Sequence, residues 1–223
     1  MIGPDTPRGD WTGITREQVL QLAPRARQQY VRCFDEPHVL DEFGIITPLR
    51  IAHFMAQVLH ESGAFSILTE SLNYSSPERL MAVWPTRFRT REAALPFVHN
   101  AAALAEKVYG GRMGNVRLGD AARFIGRGPL QITGRATYAR IGERLRLDLV
   151  GQPDLAITPP HMIRIAGCEW EESRCNEAAD DDDILRVSGR INVGKDVSDP
   201  RLIVGYEERV SWLARTKAVC MKT

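Results

Sequence analysis

Two glutamates that stand nine residues apart, Glu61 and Glu70, are the residues of this sequence best suited to chemistry. Glu61 ends a strongly apolar stretch, and Glu70 lies in a polar one. Hydrolysis of a glycosidic bond needs at minimum two carboxyl groups, one to donate a proton and one to act as a base or nucleophile. The pair raises that hypothesis against the simpler interpretation of two exposed surface charges, which is the commoner situation of glutamate.

Glu61 is predicted to end an amphipathic helix. Thr47 suits its N-cap and Pro48 its first position, and Gly63 is a natural stop. Apolar residues recur between them with helical spacing, at Ile51, Phe54, Met55, Val58 and Leu59. At about 100° per residue, Glu61 falls at the edge of the apolar stripe and His60 on the opposite side. Partial burial and the negative end of the helix dipole both disfavour charged Glu61, as a general acid requires.

Glu70 is predicted in a different environment. It follows the Gly63 break and lies among Thr69, Ser71 and Asn73. Polar neighbours of that kind keep a carboxylate ionised, as a general base requires. The two glutamates are therefore expected to face each other across a cleft with unequal roles.

Two other catalytic motifs each lack one required residue, and two more are absent. A zinc-protease helix beginning at His60-Glu61 needs a second histidine where Ala64 stands. Gly126-Arg127-Gly128 begins like a dinucleotide loop, but position 131 is Gln rather than Gly. A phosphate loop and a Gly-x-Ser-x-Gly nucleophile motif are both absent from the sequence. No metal site and no cofactor are predicted.

The rest of the chain predicts a mainly α-helical protein with at most a small sheet. Residues 1–13 are predicted as a flexible leader, and 14–223 as one catalytic domain without a separate wall-binding module. A capping box at Thr15 and Gln18 and an N-cap at Ser76 begin two helices. Further helices are predicted over 91–108 with a break near Pro96, over 134–147, from Thr158-Pro159-Pro160 to Trp170, and over roughly 202–219. The acidic run 180–183 is interpreted as a helix N-terminus rather than a metal site.

Composition excludes several classes of partner. The 223 residues are 43% hydrophobic and 26% charged with a formal net charge of +1, as in ordinary globular proteins. Lysine and arginine are dispersed, so no nucleic-acid partner is predicted. The first ten residues lack an apolar core, so no signal peptide is predicted. The four cysteines form no Cys-x-x-Cys pair and are expected as free, partly buried thiols, with a Cys168–Cys175 bridge as the alternative.

Five segments together resemble glycoside hydrolase family 19, the chitinase-type family whose bacteriophage members are endolysins. The resemblance covers residues from about Ile14 to the C-terminus. It rests on AHFMAQVLHESG at 52–63, TESLNY at 69–74, AEKVYGGRMGN at 105–115, FIGRGPLQITG at 124–134 and RINVG at 190–194. The fourth segment is the most specific. The fifth departs from the family, because Val193 stands where Gly is usual and Lys195-Asp196 replace Asn-Gly.

The resemblance implies a role for each matching residue. Glu61 would be the general acid, Glu70 the general base, and Thr133 would help Glu70 hold the attacking water. Gln131 and Asn192 would bind the sugar, and Tyr74 and Asn73 would line the cleft, with core packing as the alternative for Tyr74. Arg127 would support the carboxylates and contact the substrate, unless it forms a structural ion pair instead.

The implied fold is lysozyme-like, with two helical lobes around a substrate cleft. The implied activity is inverting hydrolysis of β-1,4 bonds in peptidoglycan by an antimicrobial phage endolysin that lyses the cell. Such a protein would act as a monomer, begin in the host cytoplasm and reach the periplasm and cell wall through a holin. Two alternatives stay open, namely a chitinase and a catalytically silent wall-binding protein on the same fold.

Overall fold

Helices account for nearly all the regular structure of residues 13–36 and 38–221, which the computed structural model describes. Twelve α-helices lie in these ranges: α1 Arg16–Leu22, α2 Gln28–Val31, α3 Pro48–Glu61, α4 Pro77–Val83, α5 Arg91–Ala94, α6 Ala101–Tyr109, α7 Asp120–Arg123, α8 Arg135–Leu145, α9 His161–Glu172, α10 Cys175–Asp180, α11 Ile184–Asn192 and α12 Tyr206–Cys220. Five short 3₁₀ segments join them: Arg32–Phe34, Asp41–Phe43, Leu95–Phe97, Pro153–Ile157 and Pro200–Leu202. The β structure there consists of two isolated antiparallel bridges, Thr69 to Arg127 and Arg127 to Ile132. The prediction of a mainly α protein is confirmed.

Two separate hydrophobic cores divide the described chain into two lobes. The larger core surrounds α3, whose residues from Ile51 to Leu59 are all buried. There the ring of Phe54 meets Trp170 of α9 edge-on, with 5.5 Å between centroids. The smaller core contains eight buried residues: Leu72, Leu80, Phe88, Ala94, Leu104, Ala105, Val108 and Ala121. The prediction of two helical lobes is therefore confirmed.

Helix α12 packs along α3 and completes the larger lobe. Small side chains at Ala52 and Ala56 of α3 are fully buried, which allows two helix backbones to approach closely. The buried hydroxyl of Thr216 donates to the Ala52 carbonyl at 2.8 Å and ties the helices together. Each large apolar side chain buried between them contributes roughly 1.5–3 kcal/mol. This packing holds the C-terminal end of α3 in a fixed place.

Most predicted helix boundaries are confirmed by their caps. The Thr15 hydroxyl accepts from Gln18 N at 3.3 Å, while Thr15 N donates back to the Gln18 side chain at 2.9 Å. Thr47 and Ser76 likewise accept from the backbone three residues on, at 3.2 Å each. Local hydrogen-bonding chemistry therefore sets these helix starts.

Three predictions about the chain need correction or stay open. The final helix begins at Tyr206 rather than near 202, because a 3₁₀ turn over Pro200–Leu202 and left-handed Gly205 (φ +69°) interrupt it. Helix α10 was not predicted. The four cysteines are free, as expected, but all are fully rather than partly buried, without a Cys168–Cys175 bridge. The predicted leader falls, apart from Gly13, outside the described residues.

One aspartate of the acidic run 180–183 caps a helix, and another contacts side chains of two other helices. Asp183 accepts from Arg186 N at 3.0 Å as the N-cap of α11, which confirms the helix-start interpretation. Asp182 pairs with buried His53 of α3 at 2.8 Å and with Lys217 of α12 at 2.6 Å. The run thus joins α3, α11 and α12.

No helix among the described residues is long and apolar enough to cross a membrane.

Candidate active site

Glu61 is the last residue of α3, and its side chain is 19% exposed. The helix ends there because Ser62 caps it and Gly63 adopts φ +52°. Glu61 thus stands at the edge of the buried stripe, as predicted.

A buried cation faces Glu61. Arg209 of α12, only 1% exposed, forms a short ion pair with the Glu61 carboxylate through Nη2. Its Nη1 donates to the Gln57 side-chain oxygen and its Nε to the Val204 carbonyl at 3.1 Å. Gln57 in turn donates to the Ser188 hydroxyl at 3.2 Å. The ion pair therefore fixes the Glu61 side chain against α12.

Glu70 lies where the chain passes from one core to the other. Leu68 belongs to the larger core and Leu72 to the smaller one. The chain crosses again between Ala121 and Phe124, which belong to the smaller and larger cores respectively. The two crossings are joined by a hydrogen bond from Glu70 N to Gly126 O at 2.9 Å. Glu70 is therefore held at the boundary between the lobes.

Two neutral donors hold the Glu70 carboxylate. The Tyr109 hydroxyl donates to Oε1 at 2.7 Å, and Gly126 N donates to Oε2 at 3.2 Å. Burial and the negative charge of Glu70 together raise the pKa of Tyr109, so the phenol stays a donor. These two donors fix the direction of the carboxylate. They come from α6 and the 124–134 segment, not from the adjacent Thr69, Ser71 and Asn73 that the sequence suggested.

Three of the predicted site residues converge on Gly126. A Cβ at this position would lie 2.9 Å from the Gln131 side-chain oxygen and 3.4 Å from both Glu70 Cβ and Thr133 Oγ1. Thr133 donates to the Gln131 carbonyl at 2.9 Å. Gln131 itself adopts φ +53°, and its amide donates to Gly128 O at 2.8 Å. The missing side chain at Gly126 therefore leaves room for the Gln131 side-chain oxygen, the Thr133 hydroxyl and Glu70 Cβ to approach one backbone position.

Arg127 forms the structural ion pair that was the alternative to substrate contact. Its Nε lies 3.0 Å from the Asp154 carboxylate, and its Nη1 donates to Arg123 O at 2.7 Å and Tyr138 OH at 3.2 Å. Burial raises the pKa of Tyr138 to about 12, so this phenol too remains protonated. Arg127 thus braces the segment that carries Gln131.

The remaining predicted residues, Tyr74, Asn73 and Asn192, lie in three different settings. Tyr74 is half-buried and packs edge-on against Trp84 at 5.2 Å, which agrees with the core-packing alternative. Asn73 is exposed. Asn192, at the end of α11, accepts from Val204 N at 2.9 Å, so its oxygen anchors the segment before α12.

Sequence reasoning did not assign roles to Arg209, Tyr109 or Gly126. Only Arg209 had a local signal. The buried residues of α12 are Arg209, Leu213, Thr216 and Cys220, so the arginine occupies a core-facing position of the helical repeat. An arginine at such a position predicts a buried carboxylate partner.

Within the described ranges, no group of three or more His, Cys, Asp or Glu residues is arranged to hold a metal ion.

Sequence comparison finds relatives described as a family 19 glycosyl hydrolase and as a chitinase. A protein of Haemophilus influenzae described as a glycosyl hydrolase family 19 domain-containing protein is 30% identical over 164 residues, 73% of this chain and 80% of that protein. Chitinase 8 of Oryza sativa subsp. japonica is 40% identical over 63 residues, 28% of this chain and 24% of that protein. No family model matches the chain.

Chitinases are among the solved structures with similar folds. A mutant of chitinase C superposes with a TM-score of 0.60 at 16% identity, covering 99% of this chain and 97% of that one. Chitinase C from Streptomyces griseus gives 0.58 at 16% identity, covering 96% and 79%. At this identity the likeness shows the fold, which is lysozyme-like as predicted.

Proposed function

We propose that this chain cleaves the β-1,4 bonds of peptidoglycan. The chain belongs to glycosyl hydrolase family 19 and has a chitinase-like glycoside hydrolase fold. The observation that carries the chemistry is the approach of Glu70, Thr133 and Gln131 to Gly126, where the chain passes between the two cores. A hydroxyl beside a fixed carboxylate is suited to hold a water molecule. A second carboxyl group then supplies the proton for the leaving oxygen.

The proposed reaction inverts the anomeric centre. Glu61 protonates the glycosidic oxygen while Glu70 takes a proton from water, whose oxygen attacks the anomeric carbon from the opposite face. Thr133 holds that water, and Tyr109 and Gly126 fix the carboxylate of Glu70 through the hydrogen bonds given above. Inversion requires the two carboxyl groups to stand about 6.5–9.5 Å apart, so that the water fits between them.

The test is Glu61→Gln assayed on purified sacculi. We expect the release of reducing ends to fall by about 10²–10⁴-fold, the usual contribution of a general acid, while circular dichroism shows a folded protein. The matched control Glu143→Gln changes an exposed glutamate of α8 and should retain activity. Substantial activity in Glu61→Gln would overturn the assignment. Mass spectrometry of the digested sacculi identifies the bond that is cut and the anomeric outcome.

A chitinase is the second candidate, because the rice relative and the similar solved structures are named chitinases. It would perform the same chemistry on an N-acetylglucosamine polymer. Rates on soluble chitin oligomers and on purified cell wall, measured side by side, separate the two. A wall-binding protein without activity would instead pull down with sacculi and release no reducing sugar.

We propose further that the enzyme acts as a monomeric phage endolysin that lyses the host cell. The resemblance of the segment 105–115 to the phage-type loop supports this proposal. Expression with and without a holin tests the route to the wall. Lysis of intact cells without a holin would contradict it.

A further inference from the structure

An open cavity of about 390 Å³ lies at the start of α12, outside the cluster around Gly126. We call it the flank pocket. Its lining includes Arg201, Ile203, Tyr206, Glu207 and Glu208. Its volume is within the range of small-ligand sites, which measure roughly 300–1,000 Å³.

The flank pocket is linked to Asn192 through Val204, and to Glu61 through Val204 and Arg209. Val204, within the segment that lines the pocket, accepts from Arg209 at 3.1 Å and donates to Asn192 at 2.9 Å. The same Arg209 binds Glu61. The pocket therefore lies beside the proposed acid and shares its scaffold.

Gly205 allows this close approach. A Cβ at Gly205 would lie 2.3 Å from the ring of His60, the residue before Glu61, so the pocket wall rests on the end of α3. The Glu208 carboxylate also reaches this ring, with Oε2 at 3.4 Å from His60 Nδ1. A ligand in the pocket would therefore lie beside the end of α3, where Glu61 stands.

The pocket presents both signs of charge beside apolar surface. Glu207 and Glu208 are exposed carboxylates, and the guanidinium of Arg201 is 88% exposed although Asp199 binds it. The adjoining aliphatic side chains of Leu202 and Val204 are 60% and 74% exposed. A chain of N-acetylated sugars carries no ammonium group for the two carboxylates. A short peptide that ends in a free amine and a carboxylate matches all three features.

We propose that the flank pocket binds the peptide stem attached to the glycan strand, with Glu207 and Glu208 receiving its ammonium group and Arg201 its carboxylate. The inference rests on the proposed function, because peptidoglycan carries such stems and chitin does not. It assigns substrate recognition to this pocket and leaves the bond-breaking step with Glu61 and Glu70.

The experiment compares three soluble glycan strands of equal length. One carries stems ending in a diamino acid, one carries the same stems with the amine acetylated, and one is stripped of peptide by an amidase. We expect kcat/KM of the native enzyme to be about tenfold higher on the first strand, the effect of roughly one charge-assisted contact. In Glu207→Gln and in Arg201→Ala the ratio between the first and third strands should approach 1. The exposed-site control Glu143→Gln should keep the native ratio.

Each outcome decides between the two proposals. Equal rates on all three strands, or an unchanged ratio in both pocket variants, would overturn the flank pocket and leave the proposed function standing. No cleavage of any strand would overturn both. Because the readout is a ratio within each variant, a general loss of activity or folding does not mimic the expected result.

Discussion

The surroundings of Glu61 and Glu70 differ in kind. Glu61 stands at the end of a long helix against the full charge of Arg209, which is buried between α3 and α12. Glu70 stands in an irregular segment against two neutral donors, a phenol and a backbone N–H. One carboxylate is balanced by an ion pair inside a helical core, and the other by fixed dipoles where two lobes meet.

Different forces hold the two carboxylates in place. An ion pair with a buried arginine is expensive to break, because the remaining charge stays in a poor solvent. Neutral hydrogen bonds each contribute less, and their value lies in fixing direction. The Glu61 side should therefore govern stability, and the Glu70 side should govern geometry. The changes that follow test that contrast.

Arg209→Ala should cause the largest loss. It leaves Glu61 and the buried Gln57 oxygen without their donor, and breaking a buried pair costs roughly 3–5 kcal/mol in the free energy of unfolding. Urea denaturation measures it. The control Arg144→Ala removes a guanidinium that is 44% exposed and paired with Glu171 at 3.2 Å, which should cost no more than about 1 kcal/mol. Equal losses in the two variants would refute the contrast.

Gly126→Ala should damage the Glu70 side with a smaller stability cost. The new Cβ would meet the Gln131 oxygen at 2.9 Å, which forces the amide away from the cluster. Overpacking of this kind costs about 1–3 kcal/mol. Hydrolysis should fall even where the variant is fully folded. The measurement is kcat/KM at a temperature well below the melting temperature of the variant. Ser71→Ala, an exposed change beside Glu70, is the control.

Acid should destabilise the lobe that carries Glu61. Burial lowers the pKa of His53 on α3, although Asp182 and Asp183 oppose this and Lys217 adds to it. The folded state thus takes up its proton at a lower pH than the unfolded chain. This contribution to stability is present above the unfolded pKa and lost as the pH falls through the folded value, at no more than about 1.4 kcal/mol per pH unit.

Melting curves from pH 7.5 to 5 measure this effect. The melting temperature should fall on acidification, and the fall should be shallower in His53→Gln. An identical slope in both proteins would assign the acid sensitivity to other groups.

Tyr109→Phe should lower the free energy of unfolding by about 1.5–3 kcal/mol, less than Arg209→Ala, because it removes one hydrogen bond from a neutral donor to the Glu70 carboxylate. A double-mutant cycle with Glu70→Gln isolates that bond. If the two changes were additive, the hydroxyl would not be coupled to the carboxylate.

The sequence determined those features whose cause is local. Side-chain caps at Thr15, Thr47 and Ser76 placed helix starts, because a hydroxyl satisfies a free N–H only three residues away. The spacing of apolar residues placed Glu61 at the edge of a buried stripe. The start of α12 was misplaced because a 3₁₀ turn over Pro200–Leu202 and left-handed Gly205 interrupt the helical pattern. A side chain at Gly205 would also clash with His60, which is 145 residues distant in sequence.

The tertiary structure alone decided what surrounds each carboxylate. Arg209 meets Glu61 across 148 positions of sequence, and Tyr109 meets Glu70 across 39. Electrostatic stabilisation falls steeply with distance in space and takes no account of separation along the chain. The sequence therefore determined that this protein carries two glutamates in unequal settings. Only the packing of α12 on α3 and the return of the 124–134 segment to Glu70 decided which charges and dipoles those settings contain.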